Sequence, residues 1–351
     1  METTHQRRAR QHQTQPNTPT IYTEAAREQA QLVTVVIPAR NEERYIGRCL
    51  ESVLEQKWPA LQVIVVDGAS TDRTAEIVNE LREVDPRVEL LHNPRGIIPV
   101  ALNLGLAAAL GTWLVRIDAH ATVPPDYIGI AVSHLRSGRW GGVGGRKNGM
   151  GVTPAGSAIA TAMASRFGVG NSTYHYGVRQ QPVEHVPFGC YPVSLLRELG
   201  GWDESVAVNE DFELDYRIRQ AGHTLLFDPE LVINWHSRQT ITDLYSQYYR
   251  YGEGKAVVAR KHRHSLRWRH VIAPALVASW ALAGVTMWLQ PRLAIGLLSP
   301  YPLALAAVTV ATAPKVPEPR GRRWVAPAFA AMHVGWGLGF WLGLPRTLHH
   351  R

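Results

Sequence analysis

Cysteine is nearly absent. Cys49 and Cys190 are the two in 351 residues, too few for a disulfide framework or a four-cysteine zinc site and typical of a chain kept in a reducing compartment. Charge is sparse as well: 19% of residues are Asp, Glu, Lys or Arg while 45% are hydrophobic, a balance that excludes a wholly disordered, collagen-like or low-complexity chain. The familiar nucleotide signatures are missing. Gly254-Lys255 lacks both the upstream Gly and the following Ser or Thr of a P-loop, and no G-x-G-x-x-G follows the first strand pattern. An ordinary P-loop ATPase and a dinucleotide-dependent dehydrogenase are therefore excluded. Residues 1–31 contain no apolar stretch long enough for a signal peptide and read as a solvated, disordered tail.

What is present in excess is basic charge and, late in the chain, long uncharged runs. Lys and Arg number 37 against 29 Asp and Glu, a net charge of +8. Residues 271–289, 293–313 and 324–344 lack Lys, Arg, Asp and Glu altogether, and each is long enough to cross about 30 Å of hydrocarbon as a helix. Basic residues cluster at 260–269 before the first run and at Lys315, Arg320, Arg322 and Arg323 between the second and third, whereas the first hairpin offers Arg292 alone. The positive-inside rule then places the N-terminal region and the 314–323 loop in the cytoplasm and the C-terminal tail outside. Basic charge beside a membrane span binds anionic lipid, so nucleic acid is not expected as a partner.

Between tail and spans the pattern alternates. Val33 to Ile37, Val63 to Val66, Val88 to Leu91 and Thr112 to Ile117 are short apolar strands. Helical spacing separates them: Ile46, Cys49, Leu50, Val53 and Leu54, then Ile77, Val78 and Leu81, then Pro99 to Leu110. Buried strands alternating with amphipathic helices predict an α/β fold with a mainly parallel sheet and helices on both faces. Ligands of such sheets bind beyond the carboxyl ends of the strands, which directs attention to Pro38–Glu42, Asp67–Ser70 and Asp118–His120. Asp67 is placed to accept hydrogen bonds from a ligand such as a pyrimidine imide, whereas Asp72 reads as a helix-capping carboxylate. In extended backbone Asp118 and His120, at i and i+2, would point to one side and could share a divalent cation, Mn²⁺ suiting the imidazole better than Mg²⁺.

Four blocks now coincide: Val35-Val36-Ile37-Pro38-Ala39-Arg40-Asn41-Glu42, Val65-Val66-Asp67-Gly68-Ala69-Ser70-Thr71-Asp72, Asp118-Ala119-His120 and Asn209-Glu210-Asp211-Phe212-Glu213-Leu214. In order and spacing they resemble glycosyltransferase family 2, whose members have the GT-A fold. The resemblance covers roughly residues 33–263. The His of Asp118-Ala119-His120, with Val186-Pro187-Phe188-Gly189 and Tyr251-Gly252-x-Gly254-Lys255, is similar to the succinoglycan-type exopolysaccharide glucosyltransferases.

The resemblance implies that Pro38 and Glu42 border the uridine site, that Asp67 reads the uracil, and that Asp118 sits near ribose and metal, with His120 in place of the second acid of the family's Asp-x-Asp. It implies Asp211 as general base of an inverting transfer from a UDP-sugar, with glucose favoured, to a lipid-linked saccharide. Gln247-Tyr248-Tyr249-Arg250-Tyr251 resembles the Q-x-x-R-W motif, so Gln247 and Arg250, with Glu210, would face acceptor or diphosphate. Glu213 and Asp215 read as the solvated face of their helix. The expected organisation is a catalytic domain over 32–236, an interfacial amphipathic segment over 237–269 and a membrane region over 270–351. The rival functions are a membrane-attached nucleotide-sugar-binding or scaffold protein and a sugar nucleotidyltransferase.

Overall fold

A computed structural model of the chain describes residues 31–345; the tail expected over 1–31 falls almost wholly outside the described residues. In chain order the main elements are β1 (Val33–Ala39), α1 (Ile46–Leu54), β2 (Leu61–Asp67), α2 (Thr74–Val84), β3 (Val88–His92), α3 (Ile98–Ala108), β4 (Trp113–Arg116), β5 (Ala121–Thr122) and α4 (Tyr127–Arg136). There follow β6 (Gly142–Met150), α5 (Pro154–Met163), α6 (Arg166–Val169), β7 (Gln181–Val183), β8 (Cys190–Pro192), α7 (Val193–Glu198), α8 (Glu210–Gln220) and β9 (Leu225–His236). The C-terminal part is helical: α9 (Ile241–Lys261), α10 (Ile272–Thr286), α11 (Pro291–Leu298), α12 (Pro300–Thr312) and α13 (Val325–Gly343).

The nine strands form one sheet in the order β3-β2-β1-β4-β8-β6-β9-β5, with β7 also on β9. The first four strands pair in parallel, and β8 runs antiparallel to both β4 and β6. β-branched residues make the central strands, and their alternation divides the core. Val33, Val35 and Ile37 face a layer that includes α1, α4 and α5, while Val36, Ile64 and Val66 face a layer with α3, α7 and α8. Burial on both faces is why these strands are continuous apolar runs. Gly105 allows α3 to lie directly on β1, since a Cβ there would overlap the Val36 side chain.

Trp268–Thr286, Pro291–Lys315 and Pro319–Gly343 are each long and apolar enough to cross a membrane. They differ in cover: the first two are 11% and 6% buried by protein, the third 50%. α13 belongs in part to the core of the catalytic domain, contributing Val325, Ala328, Phe329 and Met332. It also lies along α9 through a glycine seam, where a Cβ on Gly335 would come 2.8 Å from the Tyr245 carbonyl and one on Gly343 2.8 Å from the Glu253 Cα. The two helices run parallel, and the Arg260 guanidinium donates to the Leu344 carbonyl at 2.7 Å. Most of the 237–269 segment is thus the helix α9, packed lengthwise on α13.

Candidate active site

The loops leaving β1 and β2 are tied together by their own polar residues. The Asn41 N–H donates to Ser70 Oγ at 2.9 Å, the Thr71 N–H to Asn41 Oδ1 at 2.8 Å, and the Glu42 N–H to Thr74 Oγ1 at 2.8 Å. Asp72 caps as expected: its carboxylate accepts from the Thr74 N–H, Thr74 Oγ1 and the Glu43 N–H. Asp67 ends β2 almost fully buried, accepting from the Ser70 N–H at 3.2 Å, with His92 Nδ1 3.7 Å away. Pro38 lies one residue before the end of β1. Among the described residues, the non-glycine positions with positive φ are Asn41, Ala69, Phe188 and Asn209, and all four are on loops around this cleft. Such backbone is strained unless its surroundings fix it, and it concentrates at functional sites.

Sequence reasoning missed the organising residue, Arg116. Its side chain is 4% exposed; Nε donates to Asp118 Oδ1 at 3.0 Å, and Nη1 to Glu210 Oε1 at 2.8 Å and to Asp211 Oδ1 at 2.5 Å. Burial would favour its neutral form, but three carboxylates hold it well above its ordinary value. Burial also pushes Glu210 above the usual carboxylate range, against the pull of Arg116. Trp202 Nε1 donates to the same Asp211 oxygen at 3.1 Å. Asp211 and Asp118 are the more open members, at 13% and 19% exposure, and Glu210 is at 9%. A charged side chain inside the apolar run Trp113–Ile117 was the signal available.

Asp118 and His120 lie beyond the end of the strand. β4 stops at Arg116, and the Ala121 N–H donates to the Asp118 carbonyl at 2.9 Å, closing a turn, so the same-side argument for i and i+2 gives way to turn geometry. His120 Nδ1 instead meets Glu42 Oε1 at 2.9 Å. Glu42, expected beside the uridine, thereby orients the imidazole through Nδ1, and Nε2 is the other ring nitrogen. Lys147 lies over the rings of Trp235, at 4.0 Å, and Phe188, at 4.7 Å. Its burial pulls the amine down to about 8, against the opposing charges of Asp118 and Asp211. Among the described residues no three His, Cys, Asp or Glu side chains form a metal cluster.

The solvated-face reading of Glu213 and Asp215 is overturned, because both are fully buried. Asp215 accepts from Tyr191 Oη at 3.0 Å and the Val186 N–H at 2.9 Å and meets His185 Nδ1 at 2.7 Å. Glu213 pairs with Arg217 at 2.8 Å and with His262 at 2.8 Å. These contacts fix the underside of α8, so its first turn presents Glu210 and Asp211 to Arg116. Gln247 and Arg250 are not brought together. Gln247 is buried, its Nε2 donating to Tyr251 Oη at 2.9 Å and its Oε1 left without a partner, while Arg250 is exposed. The Tyr251 carbonyl accepts from Asn209 Nδ2 at 2.9 Å, which joins α9 to the start of α8.

A sequence model described as glycosyl transferase family 2 matches residues 34–197. The succinoglycan biosynthesis protein ExoA of Rhizobium meliloti is 33% identical over 316 residues, 88% of this chain and 93% of that protein. A dolichyl N-acetyl-glucosaminyl phosphate diacetamido-dideoxy-glucuronosyltransferase of Methanococcus voltae is 25% identical over 67% of this chain and 76% of its own. Among solved structures, the mannosyltransferase PcManGT of Pyrobaculum calidifontis, in complex with GDP-Man and Mn²⁺, superposes with a TM-score of 0.55. It is 23% identical and covers 87% of this chain and 86% of its own, a likeness of GT-A fold.

Proposed function

The chain belongs to glycosyltransferase family 2 and is related to exopolysaccharide biosynthesis enzymes, and on that premise we propose that it moves glucose from UDP-glucose to a lipid-linked saccharide with inversion. The observation that carries this reading is the Arg116 fork. It brings Asp118 from one strand end and Asp211 from the head of α8 onto one cation at the mouth of the parallel sheet, where a donor's diphosphate and an acceptor hydroxyl have to meet.

Asp67, buried at the end of β2 with acceptor capacity to spare, takes the uracil imide N–H, and Pro38 borders the same pocket. Asp211 is the general base. Arg116 and Trp202 both hold Oδ1, which fixes the carboxylate and leaves Oδ2 to take the proton of the attacking hydroxyl. The hydroxyl oxygen displaces the diphosphate at the anomeric carbon in one step, inverting it. Lys147, charged below about pH 8, offsets the negative charge that the leaving diphosphate gains.

Asp118 and His120 fit a divalent cation. A carboxylate and an imidazole supply two donors, and such cations commonly take their remaining ligands from phosphate and water. Asp118, Glu210 and Asp211 also outnumber Arg116 and Lys147 in charge. When bound, the cation would add Lewis-acid stabilisation of the diphosphate. Mn²⁺ and a sugar nucleotide in the PcManGT complex are in keeping with this. The test is the purified protein in lipid, offered a panel of nucleotide sugars and a membrane extract, with the product identified by mass. Release of UDP with a hexose added to lipid-linked saccharide is expected, and release of pyrophosphate would signify a nucleotidyltransferase.

The catalytic domain sits on the cytoplasmic face, anchored by α10 and the α11–α12 helix. We propose that α13, though long and apolar enough to span, lies beside them on the domain rather than across the bilayer. Its parallel partner α9 carries Asp243, Arg250, Glu253, Lys255, Arg260 and Lys261, which hydrocarbon would not accept. On this reading Leu344, held by Arg260, lies on the cytoplasmic side, the opposite of the external C-terminus expected from the sequence. A tag after Arg351 should resist protease added to right-side-out vesicles, and cleavage there would restore three spans.

A further inference from the structure

Two cavities adjoin beside the Arg116 cluster. The inner one, of about 310 Å³, is lined by Arg146, Lys147, His175 and Trp235. The outer one, of about 840 Å³, is lined by Arg166, Thr312, Lys315 and Pro317. They share Gly149, Ala160, Ala164 and Tyr176 as walls, so they adjoin, and we read them together as one passage. The passage starts where the helix Pro291–Lys315 ends and finishes at Lys147, which lies 4.7 Å over the Phe188 ring, the ring that Arg116 also covers at 5.9 Å. Both volumes are of the roughly 300–1,000 Å³ size that holds small ligands.

Its charge is one-sided. Arg146, Lys147, Arg166 and Lys315 line it, and neither cavity has an Asp or Glu in its wall. No carboxylate pairs with Arg146, Arg166 or Lys315 among the described residues, and Arg166 instead lies 5.1 Å over the ring of Tyr176. By contrast, other basic residues near the membrane are taken up: Arg267 and Arg269 pair with Glu184, and Lys261 with Asp203. Unpaired cations in succession from the membrane-side end to the catalytic cluster suit an anion that arrives on a lipid.

We propose that this passage binds the phosphate or diphosphate headgroup of the lipid-linked acceptor, with Lys315 and Arg166 receiving it at the membrane end and Arg146 guiding the attached saccharide toward Asp211. The proposal rests on the transferase reading for the identity of the acceptor, but the binding site is testable without turnover.

The full chain is placed in phosphatidylcholine nanodiscs containing a few per cent of polyprenyl diphosphate or, in parallel, polyprenol, and hydrogen exchange is followed in residues 146–151 and 160–166. Protection by polyprenyl diphosphate and none by polyprenol is expected. Arg166→Gln and Lys315→Gln should each raise the lipid concentration needed for half-protection about tenfold, and Arg166→Lys should recover most of it; UDP affinity in the same samples reports on folding. Equal protection by polyprenol, or by inorganic pyrophosphate alone at matched concentration, would overturn the proposal, as would wild-type protection in both Gln variants. UDP release from a nucleotide sugar without lipid protection would remove the passage and spare the transferase reading; lipid protection without turnover on any nucleotide sugar would do the reverse.

Discussion

Replacing Arg116 with methionine keeps most of the side chain's volume and removes the cation that Asp118, Glu210 and Asp211 share. Breaking a buried ion pair from one side costs about 3–5 kcal/mol, because the partner charge stays buried and uncompensated. At roughly 2–4 °C per kcal/mol for a unit of this size, the melting temperature should fall by about 6–20 °C. The sign of the pH dependence follows from Glu210, whose carboxyl stands above its ordinary value in the fold. Without the pull of Arg116, buried Glu210 holds its proton in the folded state more readily still than in the unfolded chain. The native state then binds more protons, so the variant loses stability as pH rises through the raised values and recovers toward acid. Thermal unfolding in detergent at pH 5 and pH 8, at one scan rate, reads this directly. Arg116→Lys should fall in between, since one ammonium cannot reproduce the fork. A change under about 2 °C at pH 8, or a larger loss at pH 5 than at pH 8, would refute the account of Arg116 as the shared cation.

Asp67→Ala should weaken UDP binding by about 1–3 kcal/mol and narrow discrimination against purine nucleotides, and calorimetry that finds unchanged affinity would return Asp67 to a turn residue. Glu42→Gln should weaken Mn²⁺ binding about 10- to 100-fold by loosening His120, and His120→Ala at least as much; Mn²⁺ titration in the presence of UDP checks both. Because Lys147 sits at about 8, UDP affinity should fall as pH passes through that value, and Lys147→Arg should hold it to pH 9. A flat wild-type profile over that range would remove Lys147 from the diphosphate site.

The parallel half of the sheet was legible because burial on both faces forces unbroken β-branched runs such as Val63–Val66. Asp67 and Asp118 stand where those runs stop or just beyond, which is what drew attention to them in the sequence. Arg116 was not, since its partners Glu210 and Asp211 lie 94 and 95 residues onward and local spacing carries no trace of such pairings. Glu213 and Asp215 were misread for the same reason: their partners His262, His185 and Tyr191 come from other elements, and within α8 alone the charges look solvated. The strand argument for Asp118 and His120 does not apply because of one local event, a strand that ends two residues before Asp118. The place of α13 was written in Gly335, Gly339 and Gly343, a four-residue spacing of small side chains that lets helices approach closely. Hydropathy alone does not register it.

The central claim is that Asp211, held by Arg116, deprotonates the acceptor in a transfer that releases UDP. The most direct measurement is UDP release by wild type and by Asp211→Asn, in lipid, with UDP-glucose and membrane extract. The account predicts UDP in step with transferred hexose for the wild type, and a fall of roughly 10²- to 10⁴-fold in the variant with UDP affinity little changed. Turnover in Asp211→Asn near that of the wild type would contradict it.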